Sequence, residues 1–167
     1  VKITATEEYG LRLLLQLAGR RGDTVSLAEL AEAEGVPGPV AAKVLLRLRR
    51  AGLVAAARGR NGGYALAVAP EGISVARALR ALGTPLFHST FCRPKGRGSR
   101  EACLRLANCS LRPVWSHLDT LLEAVFSQLT LAHLLAGEDT TRSSLAALRL
   151  PGMTTAAPGG ARERHLQ

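Results

Sequence analysis

The chain has three cysteines, Cys92, Cys103 and Cys109, spaced C-x10-C-x5-C. Thiolates are preferred ligands of iron–sulfur clusters, and they also bind zinc. All three lie between Gly83 and Ser110, a stretch whose composition reads as loop. A loop can bring such residues to one centre. Arg93, Lys95, Arg97, Arg100, Arg105 and Arg112 crowd around them, with only Glu101 opposing. Positive surroundings favour thiolates and offset the negative charge of a thiolate-bound centre. An odd count speaks against a disulfide framework and for metal ligation or redox chemistry. Spacing alone leaves three readings open: an iron–sulfur cluster, a zinc ion, or ordinary free thiols.

A second set of residues points to a polyanion. No acidic residue occurs between Gly35 and Pro70, whereas Lys43, Arg47, Arg49, Arg50, Arg58 and Arg60 all do. The whole chain carries 22 Lys+Arg against 13 Asp+Glu, a formal net charge of +9. Such a surplus selects nucleic acid or an anionic membrane as partner. Its concentration in one short stretch favours nucleic acid.

The elements that position these charges follow from periodicity. Thr6 to Arg20 has a wide apolar helical face, with Thr6 as a possible cap and Glu7 and Glu8 near the positive end. Ser26 caps a short helix, Leu27 to Glu34, and Glu29 completes a capping box. Gly35 ends it. After Val36 and Pro37, a third helix runs from about Gly38 to Ala51 and stops at Gly52. Two helices joined by so short a turn outline a helix-turn-helix. Residues 53–58 and 64–68, around Asn61-Gly62, read as a β-hairpin. This is a winged-helix arrangement, in which the third helix fits a major groove and the hairpin tip can put an arginine into a minor groove. Pro39, Ala42, Lys43 and Arg47 on the helix, and Arg58, Arg60 and Asn61 on the wing, are the candidate DNA-binding residues.

Ser74 caps a further helix, Val75 to Leu82. From Leu111 to Leu135 the pattern is helical again, with Val114, Leu118, Leu121, Val125, Leu129 and Ala132 at spacings of three and four. Trp115, Leu122 and Phe126 add a second apolar strip. A helix this apolar needs two surfaces to bury against, and a second copy of the same helix is the natural one. The expected fold is mainly α with a small β-hairpin. It divides into a winged helix-turn-helix domain (1–82), a cysteine-bearing loop (83–110), a long C-terminal dimerisation helix (111–138) and a mostly disordered tail (139–167). A helical turn or two is possible at Ser144 to Leu150.

Composition bounds the rest. Hydrophobic residues are 47% and aromatics 4% of 167 residues, so the core must be built from Leu, Val and Ala. No apolar run approaches the roughly 18–20 residues that span a bilayer. The first ten residues are polar and carry Glu7 and Glu8, unlike a secretory signal. The expected location is cytoplasmic, with no membrane partner. No nucleotide-binding glycine loop and no nucleophile motif is present, so no enzymatic activity is expected.

A set of short motifs, in order, resembles one known family. It starts with Lys2-Ile3-Thr4 and Glu8-Tyr9-Gly10-Leu11-Arg12, then Ser26-Leu27-Ala28-Glu29-Leu30-Ala31 and Leu48-Arg49-Arg50-Ala51-Gly52-Leu53-Val54. It continues with the wing Arg58-Gly59-Arg60-Asn61-Gly62-Gly63-Tyr64, Cys109-Ser110-Leu111-Arg112-Pro113-Val114-Trp115, and Thr130-Leu131-Ala132-His133-Leu134-Leu135. Together these resemble the Rrf-type bacterial winged-helix transcription regulators, IscR-like and NsrR-like, over about residues 1–138.

The resemblance implies a homodimer on a near-palindromic double-stranded DNA operator; the regulator is a repressor or an activator, and a repressor is the expectation. It implies Arg58 in the minor groove and Pro39, Ala42 and Lys43 facing base edges. The start of the third helix, Pro37-Gly38-Pro39-Val40, departs from relatives that carry polar or aromatic residues there. The resemblance also implies an iron–sulfur cluster, 2Fe–2S or 4Fe–4S, on Cys92, Cys103 and Cys109. It would sense redox state, nitric oxide or cluster status. A regulator sensing zinc, thiol oxidation or a small metabolite is the alternative. IscR-like members place a histidine three residues past the last cysteine, where this chain has Arg112. NsrR-like members use a carboxylate from the partner subunit, and Glu8 stands at that place, ahead of His88 and His117.

Overall fold

The structure, a computed structural model, describes residues 3–20, 22–59, 62–83 and 108–148. The described chain runs α1 (Ala5–Gly19), α2 (Leu27–Glu34), α3 (Gly38–Arg50), β1 (Val54–Ala57), β2 (Gly63–Leu66) and a 3-10 turn (Pro70–Gly72). It continues with α4 (Val75–Leu82), α5 (Leu111–Gln128), α6 (Leu131–Leu135) and α7 (Glu138–Ala147). This is the mainly helical winged-helix outline with a small antiparallel hairpin and a long C-terminal helix.

Local chemistry sets the helix starts. Thr4, not Thr6, caps α1: its hydroxyl accepts from the Glu7 N–H, and the Glu7 carboxylate accepts from the Thr4 N–H at 2.7 Å. The reciprocal pair needs Thr-x-x-Glu, which Thr4 and Glu7 satisfy and Thr6 does not. Ser26 and Glu29 make the same box on α2, and Gly35, in the left-handed region at φ 61°, ends it. Ser74 caps α4 through the Arg77 N–H.

The core sits among α1, α2, α3 and α4. Leu13, Leu14, Leu17, Leu30, Leu45, Leu48, Leu53 and Ile73 are fully buried in it. Burying such aliphatic side chains contributes about 1.5–3 kcal/mol each. At Gly10, α1 meets α4 so closely that an added Cβ would lie 2.3 Å from Leu82 Cδ1. A partly buried ion pair ties α1 to the end of α2. Arg12 Nε donates to Glu34 Oε2 at 2.7 Å, Arg12 Nη2 donates to the Glu34 carbonyl, and Gln16 donates to Glu34 Oε1 at 2.6 Å.

β1 and β2 pair antiparallel with Val54 opposite Leu66 and Ala57 opposite Gly63. A further bridge joins Val25 to Tyr64, with N–H···O bonds of 2.8 and 2.9 Å in both directions. The wing is thereby fixed to the segment between α1 and α2. Gly63 permits this approach, since a Cβ there would lie 2.6 Å from the Val25 carbonyl oxygen.

The C-terminal half differs from the sequence expectation. The periodic stretch from Leu111 to Leu135 is two helices. Leu129 is extended (φ −92°, ψ 130°) and Thr130 restarts the chain as the cap of α6. The break has a cause. The Val75 N–H donates to the Leu129 carbonyl, the Leu131 N–H donates to Ile73, and Ser74 bridges Thr130. Leu129 and Leu131 are buried at 4% and 0% exposure, which a continuous helix over α1 and α4 would not achieve for both. α6 therefore belongs to the core of the winged-helix head. α7 is a ten-residue helix where the sequence reading expects mostly disordered tail; residues 149–167 lie outside the described residues.

Candidate nucleic-acid interface and cysteine segment

One face of α3 is core and the other is open. Ala41, Val44, Leu45 and Leu48 are buried. Pro39, Lys43, Leu46, Arg47, Arg49 and Arg50 are exposed, and Ala42 is half-buried. At about 100° per residue, Pro39, Lys43, Leu46 and Arg50 fall in an arc of roughly 60°, with Ala42 beside it. Its first turn has no acidic residue, and Arg47, Arg49 and Arg50 lie in its last turn, where cations complement the helix dipole.

Arg47 lies at the edge of this face and turns inward. Its Nη1 donates to the Leu82 carbonyl, the last residue of α4, at 2.5 Å. An arginine has five N–H donors, so this bond does not exhaust it. Around it, Thr4, Thr6, Glu7, Ala81, Leu82 and Gly83 line a shallow cleft. The buried Glu7, 5% exposed, lies there: a Cβ at Gly83 would be 2.6 Å from Glu7 Oε1. The exposed Gly83, at which the cysteine segment begins, thus lies beside Glu7 of α1, and its neighbour Leu82 is bonded to α3.

At the wing, Arg58 is exposed directly after β1. Gly59 has φ +117°, a backbone region that side-chain-bearing residues rarely adopt, and it lets the chain turn sharply next to Arg58. Arg60 and Asn61 lie outside the described residues.

Of the candidate cluster ligands, Cys109 and Glu8 are described; Cys92, Cys103 and His88 lie outside the described residues. Cys109 is half-buried next to Ser110, the N-cap of α5, and its carbonyl accepts from the Arg112 N–H. Ser110 makes no side-chain capping bond and the first turn of α5 has no acidic residue, so the positive end of α5 faces the Cys109 side of the segment. Such a position suits a negatively charged ligand set. Glu8 is exposed on α1, one residue from the buried Glu7. His117 is exposed on α5. Among the described residues, no three His, Cys, Asp or Glu side chains are grouped to hold a metal ion.

α5 has no buried residue, and Leu111, Val114, Trp115 and Leu118 are 57, 49, 39 and 36% exposed. Their spacing places them on one stripe. Arg80 Nη2 pairs with Glu123 Oε1 at 3.1 Å, linking α5 to α4 on the opposite side. No helix among the described residues is long and apolar enough to cross a membrane.

Two features of the site lie outside the basic and cysteine candidates. Leu46 has no polar group, but its place on the open face of α3 is set by helical geometry and could be found from it. Glu7 is signalled by Thr-x-x-Glu, which marks it as the buried carboxylate of the pair Glu7 and Glu8.

Known proteins share this arrangement. A family model described as Rrf2, iron-dependent transcriptional regulator, matches residues 3–137. A putative HTH-type, rrf2-like transcriptional regulator of Rhodobacter capsulatus is 32% identical over 138 residues, covering 80% of this chain and 92% of that protein. Among solved structures, IscR of T. potens aligns with a TM-score of 0.62 at 29% identity, over 81% of this chain and 87% of that one. CymR, described as the global cysteine regulator of B. subtilis, aligns with a TM-score of 0.60 at 25% identity, over 81% and 97%. The extent of these matches, together with the winged-helix head and long C-terminal helix, shows that the chain belongs to the Rrf2 family of DNA-binding transcription regulators and is no enzyme.

Proposed function

We propose that the protein is a homodimeric regulator whose operator binding is controlled by an iron–sulfur cluster on Cys92, Cys103 and Cys109, with Glu8 of the partner subunit as fourth ligand. The observation that carries this reading is where the described chain leaves and rejoins the cysteine segment. The segment leaves α4 after Leu82, whose carbonyl accepts from Arg47 of α3, and it enters α5 at Cys109. Any change in the segment acts on both the DNA-facing helix and the helix that joins protomers.

The division of labour follows from the chemistry. Lys43 and Arg58 supply charge to the major and minor groove, Arg60 and Asn61 extend the wing contact, and Arg47 anchors the recognition helix while reaching phosphate. Pro39 and Ala42 meet base edges. The apolar stripe of α5 buries against its copy and sets the spacing of the two heads. A bound cluster would supply a centre that oxidants and nitric oxide alter. Cys92, Cys103 and Cys109 would hold it as thiolates, and the Glu8 carboxylate, the weakest donor of the set, would be the one most easily displaced. The protein acts as a repressor, released when the segment rearranges.

The likeness to CymR favours a second reading. A structure of the oxidised form of Staphylococcus aureus CymR also aligns, with a TM-score of 0.61 at 27% identity. In that reading thiol oxidation, zinc or a small metabolite moves the same segment without a cluster. An absorption spectrum of the anaerobically purified chain, with iron and sulfide counts, separates the two. Visible absorbance with both iron and acid-labile sulfide, lost in each Cys→Ala variant, supports the cluster. A colourless protein without sulfide overturns it in favour of the second reading. In a tagged heterodimer of Glu8→Ala with Cys103→Ala, about one air-resistant cluster per dimer supports Glu8 acting across the interface. Uniform lability overturns that ligand and moves the assignment to His88 or His117.

A further inference from the structure

We infer that α3 reads its operator chiefly through the 5-methyl groups of thymines, with Leu46 as a specificity-determining residue and Lys43 as the main hydrogen-bonding reader. This rests on the reading of α3 as the major-groove helix.

The open face of α3 is unusual in what it lacks. Its first two turns are Gly38-Pro39-Val40-Ala41-Ala42-Lys43-Val44, so Lys43 is the one side chain there able to hydrogen-bond a base edge. The N-terminal part of a recognition helix is the part that contacts base edges. Asparagine, glutamine, serine, threonine and acidic side chains, which read adenine and cytosine, are absent from the whole of α3.

In their place stands an apolar strip. Leu46 is 42% exposed although every other leucine of α3 is fully buried. Pro39 is exposed and Ala42 half-buried on the same side. A single exposed leucine is commonplace on a protein surface. This one lies on the open face one turn after Ala42, at the edge of the arc that holds Pro39, Lys43 and Arg50, with Arg49 exposed on α3 and Arg58 exposed on the wing. No acidic residue occurs from Gly35 to Pro70. The surrounding charge therefore complements phosphate, and the surface brought to the groove is apolar. In the major groove the one apolar group that a base pair presents is the thymine methyl. Burying it against Leu46, Ala42 or Pro39 is favourable, and the same face opposite cytosine N4–H or adenine N6–H would leave a donor desolvated. Lys43 adds a donor for guanine O6 and N7.

The test uses the full chain, purified anaerobically, and a selection from random double-stranded DNA. The enriched half-site is expected to hold thymines at fixed positions next to a guanine. Replacing those thymines by deoxyuridine removes only the methyl groups. Each replacement should weaken binding about three- to fivefold, the scale of one buried methyl. Leu46→Ala should abolish the thymine-over-uracil preference at one position, with the wild-type circular dichroism spectrum and melting temperature retained. Enrichment of a defined site whose affinity is indifferent to every uracil replacement overturns this inference and leaves the DNA-binding reading standing. Absence of any enriched sequence overturns both.

Discussion

Arg58 and Lys43 differ in what they lose when truncated. Arg58 stands next to a left-handed glycine on the wing, and in the proposed function it enters a narrow groove, where an arginine reads shape and potential. Lys43 stands on the open face of α3. Arg58→Ala is expected to weaken operator binding by about 1–3 kcal/mol, and Lys43→Ala by a similar amount with a change in the preferred half-site. Gel-shift titration at fixed salt checks both. Full affinity in both variants contradicts the contact assignment.

At the scale of elements, caps and close contacts hold the head together. Hydrogen bonds from Ser26, side chain first and backbone second, hold the Glu29 carboxyl below the ordinary glutamate value, and the charge of Arg20 adds to this. A depressed folded-state pKa means that the α2 cap is fully formed above the ordinary glutamate value. Its contribution is lost as pH falls through the lower folded value. An NMR titration should place the Glu29 midpoint below that of a model glutamate, and Ser26→Ala should move it up. Gly10 gives a second expectation. A methyl there collides with buried Leu82, and overpacking of this kind costs about 1–3 kcal/mol. Gly10→Ala should shift the urea midpoint down accordingly, and an unchanged midpoint would show that α1 and α4 do not meet so closely.

The same elements show what could be read in advance. α2, α3, the hairpin and α4 announce themselves through Ser26, Gly35, Gly52, Asn61-Gly62 and Ser74, whose effects are local. The start of α1 was within reach too, because Thr4 and Glu7 form a capping box. The break at Leu129 was not. It depends on backbone hydrogen bonds to Ile73 and Val75, more than fifty residues away in the chain, and apolar periodicity continues through it unchanged. The cysteines and the basic stretch were legible by type. The bond from Arg47 to Leu82 was hidden, since it depends on how α3 packs against α4.

For the whole molecule, the decisive features are the exposed stripe of α5 and the cysteine segment that links it to the head. Val114 and Leu118 are 49% and 36% exposed in the protomer, so their replacement by aspartate should spare its fold. Val114→Asp with Leu118→Asp is expected to give a soluble monomer by sedimentation, with the wild-type helix content. A stable dimer in that variant would place the interface elsewhere. The central claim is that the cysteine segment governs the DNA-binding head. Its most direct test is the affinity of the anaerobic full chain for its selected duplex, before and after removal of iron and sulfide, at one salt concentration. A change of at least about tenfold, on the order of 1.4 kcal/mol, is predicted, within the usual range of coupling between sites. Equal affinity in the two states, with iron and sulfide shown to be present in the first, would contradict the account.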